Sequence, residues 1–122
     1  MPQKQSGPRA AGVDGQQALR RFKAEVFRVL AYETRIHIVE CLQDGELPVS
    51  SILERVPVEP ANLSQHLRVL RSCGLVTARK EGNQVFYSLR DPLLIEVLAT
   101  MRRYFQTHLE ESLGMLAELD KQ

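Results

Sequence analysis

The stretch from Asn62 to Leu89 constrains the fold of this chain more than any other. Leucines at 63, 67 and 70 are spaced four and three apart, which places them on one stripe of a helix. Gly74 supplies a left-handed stop after it. Two strand patterns follow, about Leu75–Lys80 and Gln84–Leu89, joined at Glu81-Gly82-Asn83, where Gly and Asn tolerate positive φ. At about 100° per residue, the helix side opposite the leucines holds Ala61, Gln65, Arg68 and Ser72, with Asn62 and Ser64 on its flanks. An amphipathic helix with donors on its outer face, followed by a hairpin bearing cations, is the plan of a winged helix-turn-helix DNA reader.

The remaining segments fit around that unit. Residues 1–14 are rich in Gly, Pro, Gln and Ala without periodicity and read as a disordered tail. Leu19, Phe22, Val26 and Leu30 form a first helical stripe, broken at Tyr32-Glu33-Thr34. A second helix turns Ile36, Ile38, Val39 and Leu42 inward and ends at Asp44-Gly45. Pro48-Val49-Ser50-Ser51 opens a short third helix to about Val56, with Ser50 or its neighbour as the expected cap. Pro57 and Pro60 fence the next turn, and Pro60 suits the first position of the reading helix. Asp91-Pro92 opens a last helix whose stripe runs Leu94, Leu98, Met101, Phe105, His108, Leu109, Leu113 and Leu116. The expected organisation is a tail over 1–14, one domain over 15–118 and a C-terminal tail over 119–122.

The last helix spans about 27 residues, roughly 40 Å at 1.5 Å per residue. A small winged core is too short to cover its whole apolar stripe, and the first helix is apolar in the same way. The expected burial is against a symmetry mate in a homodimer, the alternative being an intramolecular helix pair. Leu19, Phe22, Val26, Leu98, Met101, Phe105 and Leu109 form the expected interface. The predicted fold is therefore mainly α with a small β-hairpin. It is a winged helix-turn-helix of four helices, two strands and a fifth helix, dimeric through the first and last helices.

At 122 residues, 43% hydrophobic and 25% charged, the chain has the composition of one ordinary soluble domain. No apolar run approaches the roughly 20 residues of a membrane span. The N-terminus lacks the apolar core of a signal peptide, so a cytoplasmic location is expected, with no membrane partner. Cys41 and Cys73 do not make a disulfide framework, and thiols stay reduced in that compartment. The net charge of +1 hides a pattern: residues 60–90 carry Arg68, Arg71, Arg79, Lys80 and Arg90 against Glu81 alone, a net of +4. Residues 25–59 and 91–122 are net acidic. A basic block on the reading unit is where release of counterions from DNA requires it. Neither a phosphate loop nor a nucleophile with a matched base is present, so no enzyme activity and no cofactor are expected.

Several of these residues resemble the ArsR/SmtB family of bacterial winged-helix repressors. The matching features are Leu30-Ala-Tyr-Glu-Thr-Arg-Ile-His-Ile and Leu63-Ser-Gln-His-Leu-Arg-Val-Leu-Arg, followed by Cys73-Gly-Leu-Val and Arg79-Lys-Glu-Gly-Asn-Gln-Val-Phe-Tyr-Ser-Leu. The resemblance runs from about Ala18 to Leu116. It implies a dimer that sits on a double-stranded operator near a promoter and leaves when a small effector binds. It also implies roles by position. Asn62, Ser64 and Gln65 would enter the major groove, with Gln65 the candidate for an adenine edge and Arg68 for a phosphate or guanine. Arg79, Lys80 and Gln84 on the wing would touch backbone or the adjacent minor groove. His66 lies nearer the buried face, which favours a structural or phosphate-orienting role over base reading.

The family's effector motifs are where this sequence departs. The arsenic- and cadmium-type branch has Glu-Leu-Cys-Val-Cys-Asp-Leu before the third helix; here Glu46-Leu-Pro-Val-Ser-Ser-Ile puts Pro48 and Ser50 in the thiolate slots. The zinc-type branch pairs Asp-x-His with a later His-x-x-Glu. Asp91 matches, but the other slots hold Leu93, Tyr104 and Thr107. His108 and Glu111 have the right spacing one turn too late, and remain weak metal candidates beside a dimer-core reading of His108. The persulfide-type cysteine slots fall on Glu40, one position from Cys41, and near Gln106. Both cysteines read as small core residues, and the pair His37 and Cys41 falls short of the four ligands of a closed zinc site. No metal is therefore assigned. Two other readings stay open: a thiol-based redox regulator using Cys41 or Cys73, and a winged-helix module that binds nucleoid DNA or protein without sequence specificity.

Overall fold

Apolar periodicity decides how the elements stack. A computed structural model describes the backbone of residues 2–121 and the side chains of 14–121. Its elements are α1 (Pro2–Val29), α2 (Glu33–Cys41), β1 (Leu47–Pro48), α3 (Val49–Arg55), α4 (Pro60–Ser72), β2 (Val76–Glu81), β3 (Gln84–Leu89) and α5 (Leu93–Asp120). Leu63, Leu67 and Leu70 of α4 are fully buried, against Ile38, Val39 and Leu42 near the end of α2 and Ile52 and Val56 of α3. Val29 and Leu30 close the core from α1, and Leu75 and Val76 from the base of the hairpin. These side chains carry most of the hydrophobic stabilisation, each worth about 1.5–3 kcal/mol when fully buried.

The end of α4 follows from its sequence. Leu75 N donates to Leu70 O at 2.9 Å and Gly74 N to Arg71 O at 3.0 Å, with Gly74 at φ 77°. This is a Schellman closure, and Leu70 and Leu75, both buried, make its hydrophobic contact. The hairpin then turns at Gly82-Asn83, where only Gly82 takes positive φ, at 62°. A positive φ at the first central residue is the pattern of type II′ turns, which suit the twist of a hairpin.

Four features differ from the sequence reading. The sheet has three strands in the order β1-β3-β2, because Leu47 pairs with Tyr87 and Pro48 with Phe86. A two-residue strand leaves no period to read. The expected Ser50 cap is absent: α3 begins at Val49 behind the extended Pro48, with no side-chain cap bond. Ser50 thus already sits inside the first turn, past the position from which a cap oxygen accepts. The helix expected from about Gln16 is continuous from Pro2, so no break separates it from the segment read as a tail. Ala and Gln residues between 10 and 18 are good helix formers, and an existing helix extends at one bond per residue; the side chains of 1–13 lie outside the described residues. At the other end α5 continues through Asp120 into the supposed C-terminal tail, and Gln122 lies outside the described residues.

Both long helices project from this core. No residue of α5 is buried, and only Leu94, Ile95 and Leu98 of it pack against the core among the described residues. Asp91 Oδ1 accepts from Leu93 N at 2.9 Å and so caps its start, while Arg90 N donates to Leu75 O at 3.1 Å. No described helix is long and apolar enough to cross a membrane.

Candidate nucleic-acid interface

The outer face of α4 is a consequence of its inner one. With Leu63, Leu67 and Leu70 buried, Asn62, Ser64, Gln65 and Arg68 are exposed, as their spacing predicts. Arg68 Nη1 donates to Gln65 Oε1 at 2.8 Å, so the two longest of these side chains lie against one another. That bond leaves the Gln65 amide NH2 free to donate and orients its plane. Pro60 occupies the first turn, as predicted, behind Glu59.

His66 is half-buried beside this face. Arg35 Nε, on α2, donates to His66 Nδ1 at 3.0 Å, and Arg35 Nη1 donates to Val29 O at 3.1 Å. Tyr32 completes the cluster, with Arg35 Cζ 4.0 Å from its ring centroid and the His66 ring 6.1 Å away, tilted by 56°. Burial first, and then the Arg35 charge, push the His66 pKa below the ordinary histidine value. The ring accepts at Nδ1, so its proton resides on Nε2 as a donor of fixed direction. His66, expected in a structural or phosphate-orienting role, thus has a partner that periodicity did not point to. Arg35 lies 31 residues away.

The wing distributes its polar residues by the two-residue period of a strand. Arg79 pairs with Phe86, Thr77 with Ser88 and Glu81 with Gln84, so these share the outer face; Lys80 alternates with them. Thr77 and Ser88 hydroxyls meet at 3.0 Å. Lys80 and Gln84 are exposed, and Lys80 makes no ion pair among the described residues. Arg79 is different. Its Nε and Nη2 donate to Glu46 Oε2 and Oε1 at 2.7 and 2.6 Å, its Nη1 to Glu81 Oε1 at 3.2 Å, and Cζ lies 4.7 Å from the Phe86 ring centroid. The Arg79 bonds hold the Glu46 carboxyl below the usual carboxylate range, against a smaller opposing effect of burial. The basic block read along the sequence is therefore partly neutralised in space by an acid from outside it.

The residues expected at a dimer interface divide in two. Leu19, Phe22, Met101, Phe105 and Leu109 are exposed apolar side chains, joined by Leu93, Tyr104 and Leu113, whereas Val26 and Leu98 also pack on the chain's own core. An open groove of about 720 Å³ runs between α1 and the start of α5, lined by Phe22, Val26, Phe27, Leu75, Leu94 and Val97. His108 and Glu111 are exposed on α5, and no three or more His, Cys, Asp or Glu side chains converge as a metal site among the described residues. Cys41 and Cys73 both pack against the core, as expected. Burial pushes the Cys41 thiol up, Arg55 opposes this by a smaller amount, and Glu40 adds to it. Cys73 Sγ donates towards Glu25 Oε2 at 3.7 Å.

Comparison with known proteins agrees with this geometry. The family described as "Bacterial regulatory protein, arsR family" matches residues 32–78, from the Tyr32 corner through α4 to the first strand of the wing. The HTH-type transcriptional regulator Rv0081 of Mycobacterium tuberculosis is 39% identical over 102 residues, 83% of this chain and 90% of that protein. Its crystal structure superposes with a TM-score of 0.71 at 40% identity, covering 78% of this chain and 96% of the other. The homodimeric winged helix-turn-helix DNA-binding domain Mb0332 of Mycobacterium bovis, solved by NMR, has a TM-score of 0.70 at 31% identity, over 80% and 91% of the two chains. Reduced HlyU of Vibrio cholerae gives 0.65 at 33% identity, over 71% and 95%. With its reading helix, hairpin wing and near full-length likeness to such regulators, this chain belongs to the arsR family of bacterial regulatory proteins and is a winged helix-turn-helix, DNA-binding transcriptional regulator.

Proposed function

We propose that the chain works as a homodimer that recognises a two-fold operator, inserting α4 of each protomer into successive major grooves and laying the wing along the flanking backbone. The observation that carries this reading is the outer face of α4. Asn62, Ser64, Gln65 and Arg68 stand exposed on a helix whose other side is pinned by three fully buried leucines. In this arrangement Gln65 reads an adenine edge, Arg68 a phosphate or guanine, and Lys80 and Gln84 hold backbone from the wing. His66 orients the helix from its flank. The exposed apolar side chains of α1 and α5 supply the interface between protomers. Repression follows where the operator overlaps a promoter, and a small effector that lowers operator affinity releases it. The cysteines give a redox switch little support, because burial disfavours the Cys41 thiolate and Cys73 packs against the core.

Footprinting on the gene's own upstream region tests this reading, with Gln65→Ala alongside. Two protected half-sites about 10 base pairs apart, or a multiple of that, are expected. Gln65→Ala costs about 1–3 kcal/mol on the protected site and relaxes the base preference at one position of each half-site. Equal affinity for that region and for a scrambled duplex, with the same salt slope, replaces sequence-specific recognition by a non-specific winged-helix module.

A further inference from the structure

Arg79 offers a planar fork of N–H donors at the outer face of the wing, the group that a DNA phosphate engages bidentately. In the free chain that fork is already filled. Two donors meet the two oxygens of Glu46, a third meets Glu81, and Phe86 lies beneath the guanidinium. Glu46 does not belong to the hairpin. It stands just before β1, on the far side of β3 from Arg79. Pro48 and Arg79 both pair with Phe86, so Glu46, two positions before Pro48, shares their face of the sheet, and Arg79 reaches it across β3 over the Phe86 ring. The carboxylate and the guanidinium thus meet on the outer face of the sheet, with the guanidinium over the Phe86 ring. Arg79 remains about half exposed and Glu46 about one-third, so water screens the pair and makes it exchangeable.

We propose that Glu46 acts as an internal phosphate mimic that masks Arg79, so that the wing gives this guanidinium to the DNA backbone only by surrendering the intramolecular pair. Off DNA, Glu46 and Glu81 offset Arg79 and leave Lys80 as the wing's free cation among the described residues. On DNA, a phosphate takes the place of Glu46. The masking lowers the affinity of the wing for backbone of any sequence and leaves discrimination to α4. This inference rests on the DNA-binding reading given above.

The test uses the full chain and a fluorescent mixed-sequence duplex about three helical turns long. Binding is followed by anisotropy across a salt series for wild type, Glu46→Asp, Arg79→Gln and the double variant. Glu46→Asp keeps the charge but shortens the reach, so a long-range charge effect leaves it unchanged. Masking instead makes Glu46→Asp bind about 2- to 5-fold tighter. Its log–log salt slope becomes steeper by up to about 0.9, the signature of one more phosphate contact. In the Arg79→Gln background the aspartate makes no difference. Glu46→Gln is a second variant with the same expected direction, and thermal melts compare the folding of all of them. An unchanged or weaker Glu46→Asp complex, or a gain that persists with Arg79→Gln, overturns the proposal while leaving the DNA-binding reading intact. Wild-type protein without salt-dependent binding overturns both.

Discussion

His66 can accept from Arg35 only while its ring is neutral, and this gives the α2–α4 contact a pH dependence with a definite sign. Burial, then the Arg35 charge, lower its folded pKa below the value near 6.5 of the unfolded chain. Between the lowered folded value and about 6.5 the unfolded chain binds more protons, so stability rises with pH through that window and is lost as pH falls through it. The urea midpoint is therefore expected to drop on acidification from neutral pH. Arg35→Met should raise the His66 pKa followed by NMR, and an unmoved titration would remove Arg35 from this role. At the residue scale, the exposed face of α4 was legible because helical spacing alone sorts Gln65 and Arg68 from Leu63 and Leu67. The partners of His66 and Arg79 were not. Arg35 and Glu46 lie 31 and 33 residues away, and nothing local to either motif points to them.

Elements ended where backbone chemistry required it, and these ends can be tested singly. Gly74 sits at φ 77°, and a Cβ built there meets nothing closer than Arg90 Nη1 at 3.7 Å, an ordinary contact. Gly74→Ala therefore introduces strain without a clash, and is expected to cost about 1–2 kcal/mol in denaturant unfolding. A neutral result would mean that the α4–β2 corner relaxes without its left-handed residue. The contrast with α3 is instructive at this scale. Gly after a leucine stripe announced the end of α4 correctly, because a Schellman closure needs that residue type. Serines at 50 and 51 suggested a cap that the helix does not use, since pairing of Pro48 with Phe86 fixes the chain direction before either serine is reached. Local signals gave way where a long-range strand pair decided the geometry.

On the scale of the whole molecule, α5 determines what a protomer lacks. Its mid-section shows Met101, Phe105 and Leu109 about half exposed, with nothing among the described residues to cover them. Phe105→Glu should leave the winged core intact and weaken self-association by about 30-fold or more, as for a central aromatic anchor worth at least 2 kcal/mol. Sedimentation over a concentration series measures this, and a dimer of unchanged affinity would exclude α5 from the interface. The length of the apolar stripe made this face visible in sequence, whereas the share of Val26 and Leu98 taken by the core depended on how the helices leave it. Among the described residues the same helix is held only near its first turns, by Leu94, Ile95 and Leu98 and by the Arg90–Leu75 bond beside the end of α4. Mechanically it is a cantilever rooted next to the reading head. Over its 28 residues, about 42 Å, a tilt of about 5° at the root moves the free end by roughly 3.7 Å. That displacement is close to the ~3.4 Å rise between base pairs, so a few degrees at the root of α5 reposition whatever docks on its far end on the scale of a single base-pair step.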